Sequence, residues 1–337
     1  MIPLMSCYIR AIEYYLPEKE EFNDPQDRMT KKIGITSKHI AGESEFASDL
    51  AYQAALKLFN TGIDKHDIDF LLYCTQSPDY LMPTTACILQ ERLGISNECG
   101  AFDINLGCSG YVYGLSVAQG LILSGQAKNV LLITSDTYSK FINPKDRNVK
   151  VLFGDAAAAT LVAGTETDES KFGAFVFGTD GRGAQNLIVP AGGLRVPTST
   201  ETLKENEDEF GNVRSKNNLY MNGQEIFKFA MFEVPKAVER LAVKEGRTIQ
   251  DYDYYILHQA NLFMLESLRK RMDIPISKFS IQLDTLGNTV SSTIPIALKK
   301  ETELGKIKDG DRVLLAGFGV GYSWGACSIV WKGEKGG

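Results

Sequence analysis

Helix-like and strand-like segments alternate along the 337 residues, and that alternation predicts an α/β fold. Two further observations support it. Residues 109–124 are apolar or small on every side, the pattern of a helix buried at the centre of a molecule. Two runs also recur: 67–73 (Asp-Ile-Asp-Phe-Leu-Leu-Tyr) matches 251–257 (Asp-Tyr-Asp-Tyr-Tyr-Ile-Leu), and 130–133 (Val-Leu-Leu-Ile) matches 313–316 (Val-Leu-Leu-Ala). Two copies of one α/β unit explain both the length and the spacing. The join falls near 164–171, which gives halves of 1–167 and 168–337.

In the first half, 48–60 predicts an amphipathic helix, 69–75 a buried strand, 84–93 a helix and 101–105 a short strand. The central helix at 109–124 follows, then strands at 130–135 and 156–162. In the second half, 226–245 predicts one long helix with Pro235 as a candidate kink, followed by a strand at 254–257 and a helix at 262–272. A helix at 294–304 carries Pro295 in its first turn, and strands follow at 313–317 and 326–331. Residues 198–218 break the pattern with Glu201, Lys204, Glu205, Glu207, Asp208, Glu209, Arg214 and Lys216. They predict an exposed, mobile insertion loop or, as a second reading, a lid over a site.

The composition, 44% hydrophobic and 23% charged, is that of an ordinary globular protein. A net charge of −6 argues against nonspecific nucleic-acid binding. No run approaches the ~20 apolar residues of a membrane span. The start, Met1-Ile2-Pro3-Leu4-Met5-Ser6-Cys7, lacks the basic and apolar regions of a signal peptide. Six cysteines without a C-x-x-C pair and three scattered histidines predict no metal site, and free thiols fit a cytoplasmic location.

The most informative stretch is Asp103-Ile104-Asn105-Leu106-Gly107-Cys108-Ser109-Gly110, between a short strand and the central helix. A thiol at a helix start meets free N–H groups and the positive end of the dipole, which favours the nucleophilic thiolate. The competing reading is a buried structural cysteine. Three motifs stand at strand-to-loop junctions of the second half: His258-Gln259-Ala260-Asn261, Leu286-Gly287-Asn288-Thr289 and Gly317-Phe318-Gly319-Val320-Gly321-Tyr322. Ligands of open α/β sheets gather at such strand ends. The glycine-rich run lacks the Lys-Ser/Thr of a P-loop and the G-x-G-x-x-G spacing.

Together, Cys108 in Gly-Cys-Ser-Gly, His258 in His-Gln-Ala-Asn, Asn288 in Gly-Asn-Thr and the Phe-Gly-Val-Gly run resemble the β-ketoacyl-acyl-carrier-protein synthase III family of the thiolase superfamily. Stretches at 34–41, 153–156 and 221–227 extend the resemblance over almost the whole chain. It implies a thiolase-like fold, two duplicated halves in a five-layered αβαβα sandwich. It implies that Cys108 takes an acyl group from a primer thioester, acyl-CoA, with the backbone N–H groups of Cys108 and Val320 as the oxyanion hole. Malonyl on acyl-carrier protein then loses carbon dioxide, and His258 Nε2–H and the Asn288 amide hold the enolate charge. The carbanion attacks acyl-Cys108 and releases a β-ketoacyl thioester. An amide donates a hydrogen bond but is no base, so Asn288 suits the decarboxylating branch.

The resemblance further implies that Asn261 holds the His258 loop and that Phe318 lies beside the acyl-cysteine. Met82 would reach the partner's acyl pocket, which implies a homodimer. Lys32 and Arg147 would contact CoA, and Lys228, Lys270 and Arg271 would form a patch for the acidic carrier protein. No metal or cofactor is implied. Three positions depart from the family pattern: Arg28 replaces an adenine-stacking aromatic, Lys32 replaces an arginine, and Phe263 replaces a basic residue. They leave open whether the primer arrives on CoA or on a carrier protein. A second reading is an acyltransferase of the same fold that passes the acyl group to an alcohol or amine. A third is a noncatalytic acyl- or carrier-binding module.

Overall fold

The computed structural model describes residues 6–167 and 171–332. The first half runs β1 (Ser6–Tyr15), β2 (Glu20–Phe22), α1 (Arg28–Ile33), β3 (Ser37–His39), α2 (Ala47–Phe59), β4 (Phe70–Cys74), α3 (Thr85–Leu93), β5 (Gly100–Ile104), α4 (Gly110–Leu123), β6 (Asn129–Asp136), α5 (Arg147–Lys150) and β7 (Ala156–Thr165). The second runs β8 (Phe172–Thr179), β9 (Leu187–Ile188), β10 (Asn206–Glu207), β11 (Val213–Arg214), β12 (Tyr220–Met221), α6 (Gly223–Lys244), β13 (Tyr254–Leu257), α7 (Leu262–Arg271), α8 (Thr293–Glu303), β14 (Arg312–Gly319) and β15 (Ser323–Val330).

Two sheets dominate, and their strand orders correspond. The first is β1-β7-β6-β4-β5, with β1, β7 and β6 antiparallel neighbours and β6, β4 and β5 parallel. The second is β8-β15-β14-β13, antiparallel through β14 and parallel between β14 and β13. Beyond β13, where the first sheet has β5, a single parallel bridge joins Tyr255 to Phe279. The matching runs in the sequence are β4 with β13 and β6 with β14, so the echo reflects equivalent strands.

Five layers result. Helices α2 and α3 pack on the outer face of the first sheet, around Leu50, Ala54, Leu58 and Leu89. Helices α4 and α8 lie between the sheets, where Leu115, Ala118, Ile294 and Leu298 share one core with Leu132 and Leu315. Helices α6 and α7 cover the outer face of the second sheet through Val234, Val238, Leu265 and Leu268. The small, apolar surface of α4 follows from this place, since sheets contact it from both sides.

Several boundaries differ from the expected ones. The sequence pattern marks neither β1, whose Arg10 and Glu13 interrupt its apolar residues, nor β8. The bend of β1 at a register shift between Ile9 and Ala11 further blurs its alternation. Helix α6 continues unbroken through Pro235. The 167/168 division adjoins residues 168–170, which, like the first five residues of the N-terminus, lie outside the described residues.

The charged segment 198–218 is not a free excursion. It forms the β10–β11 hairpin, and Thr202 and Asn212 are buried. Arg214 is held between Asp146 and Asp208, at 2.8 Å from each, while Glu205 accepts from Asn143 and pairs with Lys145. Two of its charges, Glu205 and Arg214, find partners on the neighbouring 143–146 segment, which a sequence window cannot show.

Candidate active site

Cys108, His258, Asn288 and Val320 come from four different connections and converge at the ends of parallel strands. Cys108 lies between β5 and α4, His258 directly follows β13, Asn288 precedes α8, and Val320 begins the β14–β15 hairpin. The His258 N–H donates to Ala316 O of β14 at 2.8 Å, which extends the β13–β14 ladder by one bond and fixes the histidine backbone. Asn288 is tied to the other half: its N–H donates to Leu152 O and its carbonyl accepts from Gly154 N–H.

The Cys108 side chain is buried, and its own backbone N–H and that of Val320 lie close enough to the sulfur to favour its charged form. Gly319 makes the approach fit, because a Cβ there would lie 2.9 Å from Sγ. At Gly317 a Cβ would lie 2.7 Å from the Cys108 carbonyl oxygen. Ser109 Oγ lies 2.6 Å from Ser323 Oγ, which donates to Val320 O at 3.0 Å, so the hairpin is fastened to the nucleophile turn.

The expected thiolate is corrected here. Burial, reinforced by the Asp136 carboxylate, pushes the thiol up to about 12, and the two N–H groups only partly oppose this. Helix α4 begins at Gly110, beyond the cysteine, and loss of hydration outweighs its dipole. Burial therefore favours the thiol form of the sulfur in the free protein.

His258 and Asn288 form a pair with their Nε2 and Nδ2 atoms 3.4 Å apart. His258 Nδ1 lies 2.8 Å from Thr293 Oγ1, and the Phe318 ring meets the imidazole edge-on at 5.5 Å. Burial lowers the imidazole to about 3, so the ring is neutral across the physiological range. Asn288 Oδ1 accepts from Val290 N–H at 3.0 Å, which directs the amide nitrogen toward the histidine. Val290 adopts φ 53° to make that bond, an uncommon conformation for a β-branched residue.

The remaining expected residues fare differently. Phe318 is buried against His258. Asn261 does not bond to the histidine loop: its side chain caps α7 by accepting from Met264 N–H at 2.9 Å, because α7 starts at the next residue. Arg147 lines an open groove of 800 Å³ with Met29, Lys150 and Phe210, the last from the charged segment. Lys32 sits over the Phe263 ring at 4.4 Å, and Phe263 stacks on Phe227. Lys228, Lys270 and Arg271 are exposed, but Lys228 pairs with Glu225 and Lys270 with Glu266. Met82 is 82% exposed.

Thr293, Val290, Asp136 and the Ser109–Ser323 pair are structural contributors that the motifs did not disclose. Asp136 accepts from Gln76 N–H, Ser291 N–H and the Ser291 hydroxyl, and burial pushes its carboxyl up to about 7. The polar run Ser291-Ser292-Thr293 at the start of α8 was the available signal, because hydroxyls buried in a helix start need partners. Among the described residues no group of His, Cys, Asp or Glu could hold a metal ion, and no helix is long and apolar enough to cross a membrane.

A cysteine sulfur near two backbone N–H groups, with a His–Asn nitrogen pair in the same site, is an arrangement that can serve acyl transfer followed by stabilisation of a second oxyanion. Comparison with known proteins agrees. The family described as 3-oxoacyl-[acyl-carrier-protein (ACP)] synthase III matches residues 102–181, and its C-terminal counterpart matches 243–331. The β-ketoacyl-[acyl-carrier-protein] synthase III of Caldanaerobacter subterraneus subsp. tengcongensis is 40% identical over 327 residues, covering 94% of this chain and 96% of that protein. A crystal structure of a 3-oxoacyl-(acyl-carrier-protein) synthase III superposes with a TM-score of 0.95 at 49% identity, covering 97% of this chain and 100% of that one. The β-ketoacyl-[acyl carrier protein] synthase III of Thermus thermophilus superposes with a TM-score of 0.84 at 34% identity, covering 96% of this chain and 99% of that one. Likeness of this extent, over both halves, makes the chain a member of the β-ketoacyl-[acyl-carrier-protein] synthase III family.

Proposed function

We propose that the chain condenses an acyl group held on Cys108 with a malonyl group held on acyl-carrier protein. In the first half-reaction, Cys108 Sγ attacks the primer thioester carbonyl, and the Cys108 and Val320 N–H groups receive the oxyanion. The thiol proton leaves with the departing carrier thiolate, so the site need not hold a free thiolate beforehand. In the second, the malonyl thioester loses carbon dioxide. Its enolate oxygen is held by His258 and Asn288, and its carbanion attacks the acyl-Cys108 carbonyl, restoring the sulfur and giving a β-ketoacyl thioester. The chemistry draws only on thioesters and these side chains.

The observation that carries this reading is the existence of two separate sets of nitrogens, the Cys108 and Val320 backbone N–H groups beside the sulfur and the His258 Nε2–Asn288 Nδ2 pair 3.4 Å apart. Transfer to an alcohol or amine would leave the second pair without a charge to hold, and the relatives described above are named as synthases. The same two pairs weigh against a noncatalytic module.

Primer and carrier fit the surface as follows. The Arg147 groove receives the carrier arm of the primer, acyl-CoA, and Lys32, held over the Phe263 ring, adds a positive charge for it. Lys228, Lys270 and Arg271 offer positive charge to the carrier protein. A homodimer forms across β5, an edge strand of the first sheet: Tyr80, Leu81 and Met82 stand 62%, 78% and 82% exposed, and Thr84 just beyond them accepts from Asp103 N–H of β5. The halves divide at 167/168, with 198–218 as an insertion of the second. Incubation with an acyl-CoA panel and malonyl-acyl-carrier protein tests the reaction. The expected result is an acyl mass on Cys108, carbon dioxide and a β-ketoacyl product; neither adduct nor carbon dioxide would overturn it.

A further inference from the structure

The His258 ring nitrogens face different partners. Nδ1 is 2.8 Å from Thr293 Oγ1, and that hydroxyl is also 3.1 Å from Val290 O. Nε2 is 3.4 Å from Asn288 Nδ2, whose Oδ1 accepts from Val290 N–H at 3.0 Å. All four residues are buried, so each donor needs a partner inside the protein.

The hydroxyl has one proton and two acceptors within reach. Turned to Val290 O, it leaves its lone pair for Nδ1–H. Nε2 is then an acceptor and receives Asn288 Nδ2–H. The chain Val290 N–H to Asn288, Asn288 to His258, His258 to Thr293 and Thr293 to Val290 O closes on itself with each of these donors matched. Turned to the ring, the hydroxyl donates to Nδ1, and the ring proton sits on Nε2. His258 and Asn288 then present two N–H groups 3.4 Å apart with no acceptor between them. A substrate oxyanion is the group that would satisfy both.

We propose that Thr293 is a positioning residue whose hydroxyl decides which ring nitrogen of His258 carries the proton, Nδ1 in the free protein and Nε2 when an oxyanion is bound. The imidazole is neutral in both states. One proton leaves Nδ1 and one arrives at Nε2, exchanged through water as the site opens to substrate, while the hydroxyl rotates. This rests on the proposed condensation.

The test separates the two claims. Nitrogen-15 NMR of histidine-labelled protein reports the tautomer directly, and with three histidines in the chain the His258 signals are assigned by comparison with His258→Gln. Free wild-type protein is expected to show the Nδ1–H form. Thr293→Val, which keeps the shape and loses the hydroxyl, is expected to lose that bias. On protein with Cys108 already acylated, it should slow condensation about tenfold or more while changing acylation less than twofold. Thr293→Ser should restore both tautomer and rate. An Nε2–H tautomer in free wild type, or a Thr293→Val protein with unchanged tautomer and condensation rate, would overturn the role of Thr293. Acylated wild type that consumes no malonyl thioester would instead overturn the condensation, whatever the tautomer.

Discussion

The two halves of the molecule place different chemistry at equivalent points. In the first, the connection entering the central helix α4 carries Cys108. In the second, the connection entering the central helix α8 carries Asn288. At the end of β4 the first half has Cys74, and at the corresponding position just after β13 the second has His258. On the proposed reaction, the first half supplies the covalent handle and the second the donors for a free oxyanion. The same backbone frame supports both because the parallel strand ends and buried helix starts are the conserved geometry of the unit, while side chains at those points are free to differ. The β14–β15 hairpin crosses the division of labour: the Val320 backbone, from the second half, lies beside the first half's sulfur.

If the halves divide the reaction in this way, their variants should fail at different steps. Cys108→Ala should give the largest effect, removing the acyl adduct seen by intact mass and lowering turnover by ~10⁴ or more. Asn288→Ala should lower condensation by ~10²–10³ while Cys108 still acylates at close to the wild-type rate, as read in single-turnover assays of each half-reaction. An Asn288→Ala protein that no longer acylates would mean that the two donor pairs act as one, and would break the comparison.

The legible part of the molecule was what lies close together in sequence. The strand β13 was bounded correctly, and the buried character of α4 was plain from its composition. Motifs also located the four residues that meet at the site. What stayed hidden depended on distant partners. β1 reads as a mixed run until β7 is beside it, and Arg214 reads as solvated until Asp146 is. The state of Cys108 was misjudged for the same reason: the helix start is local and visible, whereas the burial that raises the thiol is assembled from both halves. Thr293 shows in the sequence only as one member of a polar run, because its partner His258 lies 35 residues away.

A smaller contrast is electrostatic. Asp136 in the first half is raised to about 7 by burial, and His258 in the second is lowered to about 3 by burial. For Asp136 the folded state holds its proton more tightly than the unfolded one, so stability falls as pH rises from about 4 to 7. For His258 the unfolded state takes the proton first, so stability falls as pH drops from about 6.5 to 3. Each window is worth up to roughly 4 kcal/mol, and the two slopes oppose each other where they overlap. Urea unfolding between pH 4.5 and 6.5 should therefore show stability rising with pH in Asp136→Asn and falling with pH in His258→Gln, relative to wild type. Slopes of the same sign in both variants would show that one of these groups is not held in its assigned state.

The least costly difference between the halves is the segment 198–218, which the first half lacks. Arg214 clamps it, donating to Asp146 and Asp208, and Asp146 is also the cap that accepts from Asn148 N–H at the start of α5. Arg214→Met keeps the aliphatic stem and removes both charged bonds, while Asp146 keeps its cap partner. The expected loss is about 1–2 kcal/mol in urea unfolding, the scale of a hydrogen bond to a charged group. Turnover at saturating substrate should stay within about twofold of wild type, because none of the four residues at the sulfur and the enolate site belongs to the segment. The Michaelis constant for the primer should rise, since Phe210 and Arg147 line the same groove and Arg214 fixes the hairpin that carries Phe210. A collapse of turnover with unchanged stability would make the insertion part of the chemical site, and the simple division between a covalent half and a charge-holding half would fail.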